Sequence, residues 1–205
     1  MKVGGDTTAG PLNLCITVFG QVAPGQALLR SGACVGDDVW VSGTLGDARL
    51  ALEVFRGRVS LAGPDFEAVR KAMEMPQPRV ALGLALRGLA HSAIDLSDGL
   101  VGDLGHVLQR SGVGAVVDVD SLPRSATLAA QPLALQRECL LCGGDDYELL
   151  FSAEQGRRAD VLAAARSAGV AVTRCGVIEA GRGLRLVNGR GEELPLSWRG
   201  FDHFA

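Results

Sequence analysis

The stretch Ser92 to Gly112, SAIDLSDGLVGDLGHVLQRSG, constrains the fold of this chain more than any other. Apolar residues run up to Asp95, Ser97 and Asp98 stand where a helix would be capped, and Leu100, Val101, Leu104, Val107 and Leu108 recur at helical spacing. The pattern predicts a strand, a tight turn and a helix. Such a turn aims the free backbone N–H groups and positive dipole end of the helix at whatever lies beyond the carboxyl end of the strand. Anions sit well there. Asp95 and Asp98 share the turn, however, and bare carboxylates repel a phosphate unless a cation lies between them. Hard oxygen ligands around a polyphosphate point to magnesium. A simple N-cap beside a solvated turn aspartate accounts for the same residues, so the motif alone leaves both readings open.

The rest of the chain sets bounds. With 205 residues, 47% of them hydrophobic, it has enough apolar material for one substantial core. A net charge of -3 lacks the basic footprint of a nucleic-acid binder, and 4% aromatics are too few for a base-stacking surface. No apolar run reaches the roughly 18 residues of a membrane span, and the start lacks a charged head followed by an apolar core. The expectation is a cytoplasmic protein that engages neither membrane nor nucleic acid. Cysteines number five, and all but Cys34 lie in apolar, strand-like surroundings, which predicts reduced and buried thiols.

In chain order, the glycine-rich loop Gly4-Gly5-Asp6-Thr7-Thr8 leads into LNLCITVFGQV, which reads as a strand. Pro24 and Gly25 mark a boundary between residues 1–24 and a main body of residues 25–205. Val39-Trp40-Val41 reads as a strand that enters Ser42-Gly43-Thr44-Leu45-Gly46-Asp47, with a helix from Ala48. That loop lacks the lysine and following hydroxyl of a P-loop. Helical segments FEAVRKAMEM and VALGLALRGLA flank Pro76-Gln77-Pro78-Arg79, whose lone arginine reads as solvated surface, with a phosphate contact as the alternative. A strand over Val113 to Val119 is followed by a loop and helix over Ser121 to Gln136. A helix over Ala159 to Ala168, a strand over Val170 to Ile178 and a hairpin around Asn188-Gly189 complete the pattern. This alternation predicts an α/β or α+β fold with helices packed on one mixed sheet.

A second motif, CLLCGGDDYELLF, spans Cys139 to Phe151. Its CxxC spacing has no second pair to complete a zinc site, and LLC reads as strand. In GGDDYE the glycines let the backbone turn sharply while Asp145, Asp146 and Glu148 crowd beside Tyr147. Crowded carboxylates serve a cation, an ordered turn or the positive group of a substrate. No histidine among His91, His106 and His203 reads as catalytic.

GGDTT, ALLRSGA, VSGTLGDA, PQPR, IDLSDGL, GGDDYELLF and the terminal WRGFDHF follow in the order and approximate spacing of the thiamine-monophosphate kinases. The chain resembles this family, part of the aminoimidazole ribonucleotide synthetase superfamily, over essentially its whole length. The resemblance implies ATP-dependent phosphorylation of thiamine monophosphate to thiamine diphosphate, with several magnesium ions and direct in-line transfer. Carried over by motif, Asp6 would bind magnesium with Gly5 touching the nucleotide, and Arg30 would contact ATP. Asp95 and Asp98 would hold magnesium, and Ser97 would contact ATP. Asp145 and Phe201 would meet the substrate. Asp145 stands where the family usually has glutamate, one methylene longer.

Family members carry an amino-terminal half with an acidic DDAAV-type motif and a β-structure through which subunits pair as homodimers. The resemblance therefore implies that residues 1–24 are a remnant of that ATP-binding and dimerisation domain, and residues 25–205 the carboxy-terminal domain. Apolar Leu14 to Val22 is the candidate surface for association. Another ATP-using enzyme of the superfamily, and a non-catalytic module binding nucleotide or thiamine phosphate, are the alternative readings.

Overall fold

The computed structural model describes residues 10–11 and 15–195, and a strand buried on both faces lies at its centre. Strand β1 (Asp38–Ser42) places Val39 and Val41 in one apolar cluster and Trp40 in another, because successive side chains point to opposite faces. Its neighbour β4 (Leu149–Ala153), and β2 (Ala90–Asp95) on the far side of β4, repeat the division. Leu150 and Ile94 join the valines, while Phe151 and Ala93 join Trp40. This two-sided burial is why VWV and LLF are continuously apolar rather than alternating. Trp40 and Phe151 are direct cross-strand partners, with rings stacked at 6.3 Å and 6° between planes.

The remaining strands are β3 (Gly114–Asp118), β5 (Val172–Glu179), β6 (Gly183–Val187) and β7 (Glu193–Leu194). Among the described residues the seven strands form one sheet in the order β2-β4-β1-β5-β3-β6-β7. All neighbours are antiparallel except β3 and β6, so the sheet is mixed, as the alternation of elements predicts. One face is covered by helices α1 (Asp47–Phe55), α2 (Gly63–Glu74), α4 (Leu100–Ser111) and α6 (Leu133–Cys142), with the single turn α5 (Ala126–Ala129). The other carries α3 (Val80–Ala85) and α7 (Arg158–Ala168), where Leu82, Val161 and Ala165, with Leu86 just after α3, cluster with Trp40 and Phe151. None of the described helices is long and apolar enough to cross a membrane.

Three expectations change. Residues 15–22 form no strand, and Ile16, Val18 and Phe19 are 88%, 85% and 92% exposed. Extended chain becomes a strand only when a partner takes its N–H and C=O groups, and no ladder joins this segment among the described residues. Cys15 is accordingly exposed, not buried. LLC lies in the last turn of helix α6 rather than in a strand, with Cys139, Leu140 and Leu141 buried. A short apolar run fits either element by periodicity alone. The helix expected over VALGLALRGLA stops at Ala85, because Gly88 turns the chain at φ +75° into β2. The turn at Pro24-Gly25 is present, closed by the Gln26 N–H on the Ala23 carbonyl at 3.0 Å.

Phe151→Ala removes a fully buried ring and is expected to cost about 3–5 kcal/mol. A urea midpoint that falls with an unchanged slope would confirm this, whereas a change within about 0.5 kcal/mol would show that the Trp40 layer is not part of the cooperative core.

Candidate functional site

The site is built where β2 ends and β4 begins. Beyond Asp95 the pairing of the two strands continues through the motifs: Leu96 N–H donates to the Glu148 carbonyl at 2.8 Å, and Tyr147 N–H to the Leu96 carbonyl at 2.9 Å. Asp145 N–H donates to the Ser97 carbonyl at 3.0 Å. Two acidic segments about 50 residues apart in sequence thus lie side by side. Their approach depends on Gly144, where a Cβ would collide with the Ser97 carbonyl. It also depends on Gly99, at φ +103°, where a Cβ would stand 2.9 Å from the Cys142 backbone. Asp145 and Tyr147 occupy the left-handed region at φ 66° and 49°. Non-glycine residues adopt it at a cost, and this ladder holds them there.

The extended course of GGDDYE separates its acids by face. Asp146 and Glu148 point inward, whereas Asp145 and Tyr147 are exposed. Asp146 accepts the Gly46 N–H with both oxygens, at 2.9 and 3.0 Å, and so secures the loop before α1. Burial drives its carboxyl well above the usual aspartate range, against the pull of that N–H. Glu148 is 5% exposed and accepts from the Ser42 hydroxyl and from Arg79 through two nitrogens, Nε at 2.7 Å and Nη2. Gly43 leaves no room for a Cβ beside it. Arg79 is therefore not solvated surface but half of a bidentate ion pair, 69 residues from its partner, which no local pattern could reveal.

At the start of α4 the capping is the reverse of the expected one. Neither Ser97 nor Asp98 caps the helix; the buried Asp103 in its first turn accepts the N–H groups of both, each at 3.0 Å. Burial raises the Asp103 carboxyl, and the charges of Asp98 and Asp95 push the same way against those hydrogen bonds. The Tyr147 phenol is raised by burial first, then by Asp145, Asp95 and Asp98. The fields of these acids therefore meet at one turn. An oxygen-only donor set carrying like charge fits magnesium. Among the described residues it is a partial set, since no three acids here come close enough together to ligate one ion.

Opposite the acids stands a basic wall. A cleft of about 680 Å³ is lined by Arg49, Arg56 and Arg58 on one side and by Ser97, Asp98, Asp145 and Tyr147 on the other. The three guanidiniums surround the buried Glu53 at 2.8, 3.2 and 3.1 Å. Burial alone would raise the Glu53 carboxyl, but Arg49 and Arg58 outweigh it and hold it below its usual range. Three cations around one carboxylate leave the wall positive, though Arg49 also reaches Glu138 at 2.7 Å. Sequence reasoning missed this wall, whose local signals were the spacings of four between Arg49 and Glu53 and of three between Glu53 and Arg56.

Of the residues singled out by sequence, Asp95, Ser97, Asp98 and Asp145 come together here. Arg30 is exposed and follows Leu29, whose carbonyl accepts the Ala93 N–H at 2.8 Å, so it lies along the outer edge of β2. Gly5, Asp6 and Phe201 lie outside the described residues.

Residues 34–188 match the family described as AIR synthase related protein, C-terminal domain. The chain belongs to this family. It is 42% identical to the thiamine-monophosphate kinase of Escherichia coli K12 over 207 residues, covering 99% of this chain and 63% of that protein. The crystal structure of thiamine-monophosphate kinase from Stenotrophomonas maltophilia K279a superposes with a TM-score of 0.78 at 45% identity, covering 85% of this chain and 56% of that one. A structure of AaThiL complexed with AMPPCP and TMP gives a TM-score of 0.71 at 31% identity, covering 86% and 54%. The chain thus spans 63% of the length of the curated E. coli relative.

Two measurements probe this geometry. Gly144→Ala is expected to destabilise by about 1–3 kcal/mol by forcing the acidic segments apart, and a neutral effect on the denaturation midpoint would refute the close approach. A carboxyl raised by folding contributes less stability as pH climbs from the usual aspartate range through its folded value. Asp146→Asn should therefore flatten the decline of urea midpoints across that window, the remaining slope belonging to Asp47 and Asp103, which burial also raises; an unchanged slope would count against the raised Asp146.

Proposed function

We propose that this chain provides the carboxy-terminal part of an active site that phosphorylates thiamine monophosphate to thiamine diphosphate with ATP and magnesium. The observation that carries the reading is the backbone ladder that sets Asp95 to Asp98 beside Asp145, facing a basic wall, in a chain 42% identical to a thiamine-monophosphate kinase. In this reading residues 25–205 are the carboxy-terminal domain and residues 1–24 belong to the amino-terminal ATP-binding and dimerisation domain, in a cytoplasmic homodimer that engages neither membrane nor nucleic acid.

Transfer breaks the bond between the γ-phosphorus of ATP and its bridging oxygen and forms one to a phosphate oxygen of thiamine monophosphate, releasing ADP. Such a reaction asks a protein mainly to position two anions and offset their charge. Asp95 and Asp98 would hold magnesium, with Asp6 as a further ligand, and the metal when bound neutralises charge on the phosphates. Ser97 and Arg30 would contact ATP, with Gly5 close to the nucleotide. Asp145 and Phe201 would orient thiamine monophosphate, Asp145 from the outward face of its strained segment. The ladder keeps the nucleotide and substrate groups in register, which is where the chain's own contribution to rate would lie.

The test is calorimetric titration of the purified chain with ATP and then thiamine monophosphate, with and without magnesium, followed by a turnover assay. Expected is magnesium-dependent ATP binding that Asp95→Ala weakens by about tenfold or more, a loss of at least about 1.4 kcal/mol. Binding without turnover, even when a separate amino-terminal half is supplied, would favour the non-catalytic module. No binding of either ligand would overturn the reading for this chain.

A further inference from the structure

At the end of β2 remote from Asp95, three chemically unlike metal ligands meet. One ligand atom each from Cys34, Asp37 and His91 lies within 4.8 Å of the other two. We propose that these residues form a zinc-class transition-metal site, independent of the magnesium turn.

Local structure has already arranged the ligands. Cys34 and Asp37 close one tight turn, in which Asp37 N–H donates to the Cys34 carbonyl and Cys34 N–H donates to Asp37 Oδ2, both at 2.9 Å. His91 arrives from β2, with Nδ1 at 3.0 and 2.9 Å from the two Asp37 oxygens. The Asp37 side chain is 3% exposed and also accepts the Ser152 hydroxyl at 3.1 Å, and Ser152 shares a hydrogen bond with Ser92 at 2.9 Å. A buried carboxylate held by a hydroxyl and a backbone N–H has the outer support that orients metal ligands. Cys34 and His91 are exposed, which leaves an entry path and room for a water as fourth ligand.

The distances need little adjustment. With zinc bonds of about 2.0–2.3 Å to N, O and S, ligand atoms around a tetrahedral ion stand about 3.3–3.7 Å apart. The Asp37–His91 pair would open by roughly half an ångström. The Cys34 thiol, on the surface and held only by a weak contact to the Gly32 carbonyl at 3.4 Å, closes the remainder by rotating its side chain. On binding, the thiol proton leaves to solvent, and the imidazole coordinates through Nδ1 with its proton on Nε2.

Ligand chemistry selects the ion. Thiolate and imidazole favour zinc, whereas magnesium takes oxygen donors and keeps its waters. Four residues of strand, about 13 Å, separate His91 from Asp95, so the two ends of β2 would serve different metals. Zinc here would staple the Leu29 to Asp37 segment, and Arg30 with it, to the edge strand β2, whose Ala93 N–H already donates to the Leu29 carbonyl.

The full 205-residue chain, stripped with a chelator, is titrated with Zn²⁺ against a chromophoric chelator and separately with Co²⁺. Expected are one tight equivalent of zinc, undisturbed by excess Mg²⁺, and a thiolate-to-cobalt charge-transfer band. Cys34→Ser should abolish the band, and Cys34→Ser and His91→Ala should each weaken zinc binding more than tenfold. Cys15→Ser and His106→Ala, also at exposed positions, should change neither. Equal melting temperatures of the metal-free proteins separate loss of the site from loss of the fold. Absence of the band in the wild-type chain, or zinc binding by Cys34→Ser equal to wild type, overturns the proposal, and the wild-type spectrum decides without any variant.

Discussion

Three backbone hydrogen bonds beyond the end of β2 and ahead of β4 hold the candidate site together. They carry the strand pairing through Leu96 and Ser97 on one side and Asp145, Tyr147 and Glu148 on the other, so that two acidic turns become a single rigid edge. A ladder of this kind tolerates strain that an isolated loop would relax. Asp145 and Tyr147 stay in the left-handed region because their N–H groups are already committed to Ser97 and Leu96. Moving either would leave backbone groups unpaired beside a packed helix end, which costs more than the strain it would relieve.

Charge is handled differently on the two faces of that edge. Inward acids are satisfied by protein: Glu148 by Arg79 and the Ser42 hydroxyl, Asp146 by the Gly46 N–H. Removing one partner from such a buried pair strands the other, so these residues act as fixed points of the scaffold. Outward acids lie close together, and their charges add to burial in raising Asp103 and Tyr147. Across the cleft the Arg49, Arg56 and Arg58 wall supplies the opposite sign. A site with hard acids on one side and guanidiniums on the other suits a ligand that is anionic and carries its own cations. Magnesium-bound nucleotide and a phosphate ester meet that description.

Behind the edge, two apolar layers fix its position. β1 is buried on both faces, and its ends tie to distant elements, through Asp38 to Arg158 at 2.8 Å and through Ser42 to Glu148. Because close-packed layers resist deformation, a site built on the ends of such strands inherits their precision. The Cys34, Asp37 and His91 cluster stands at the opposite end of the same strands, so the rigidity that serves one end is available to the other.

Much of this was legible in the sequence. Apolar period and β-branched runs located β1, β2, β3 and β5, and the turn chemistry located the strand-turn-helix at Asp95 to Leu100 and the Asn188-Gly189 hairpin, because local propensity and burial point the same way there. Asp95, Ser97 and Asp98 offered a phosphate-and-metal reading beside a plain N-cap one, and the structure brings them together with Asp145. What the sequence could not decide is partnership. Residues 15–22 have strand composition without a ladder, LLC has strand composition within a helix, and Arg79 finds Glu148 at a separation of 69 residues. Asp146 and Glu148 became scaffold and Asp145 became surface only when the ladder fixed which way each residue of GGDDYE points. Local sequence sets what a segment can form and which chemistry it carries; tertiary contact decides which partner satisfies each polar group, and hence which acids remain to meet a ligand.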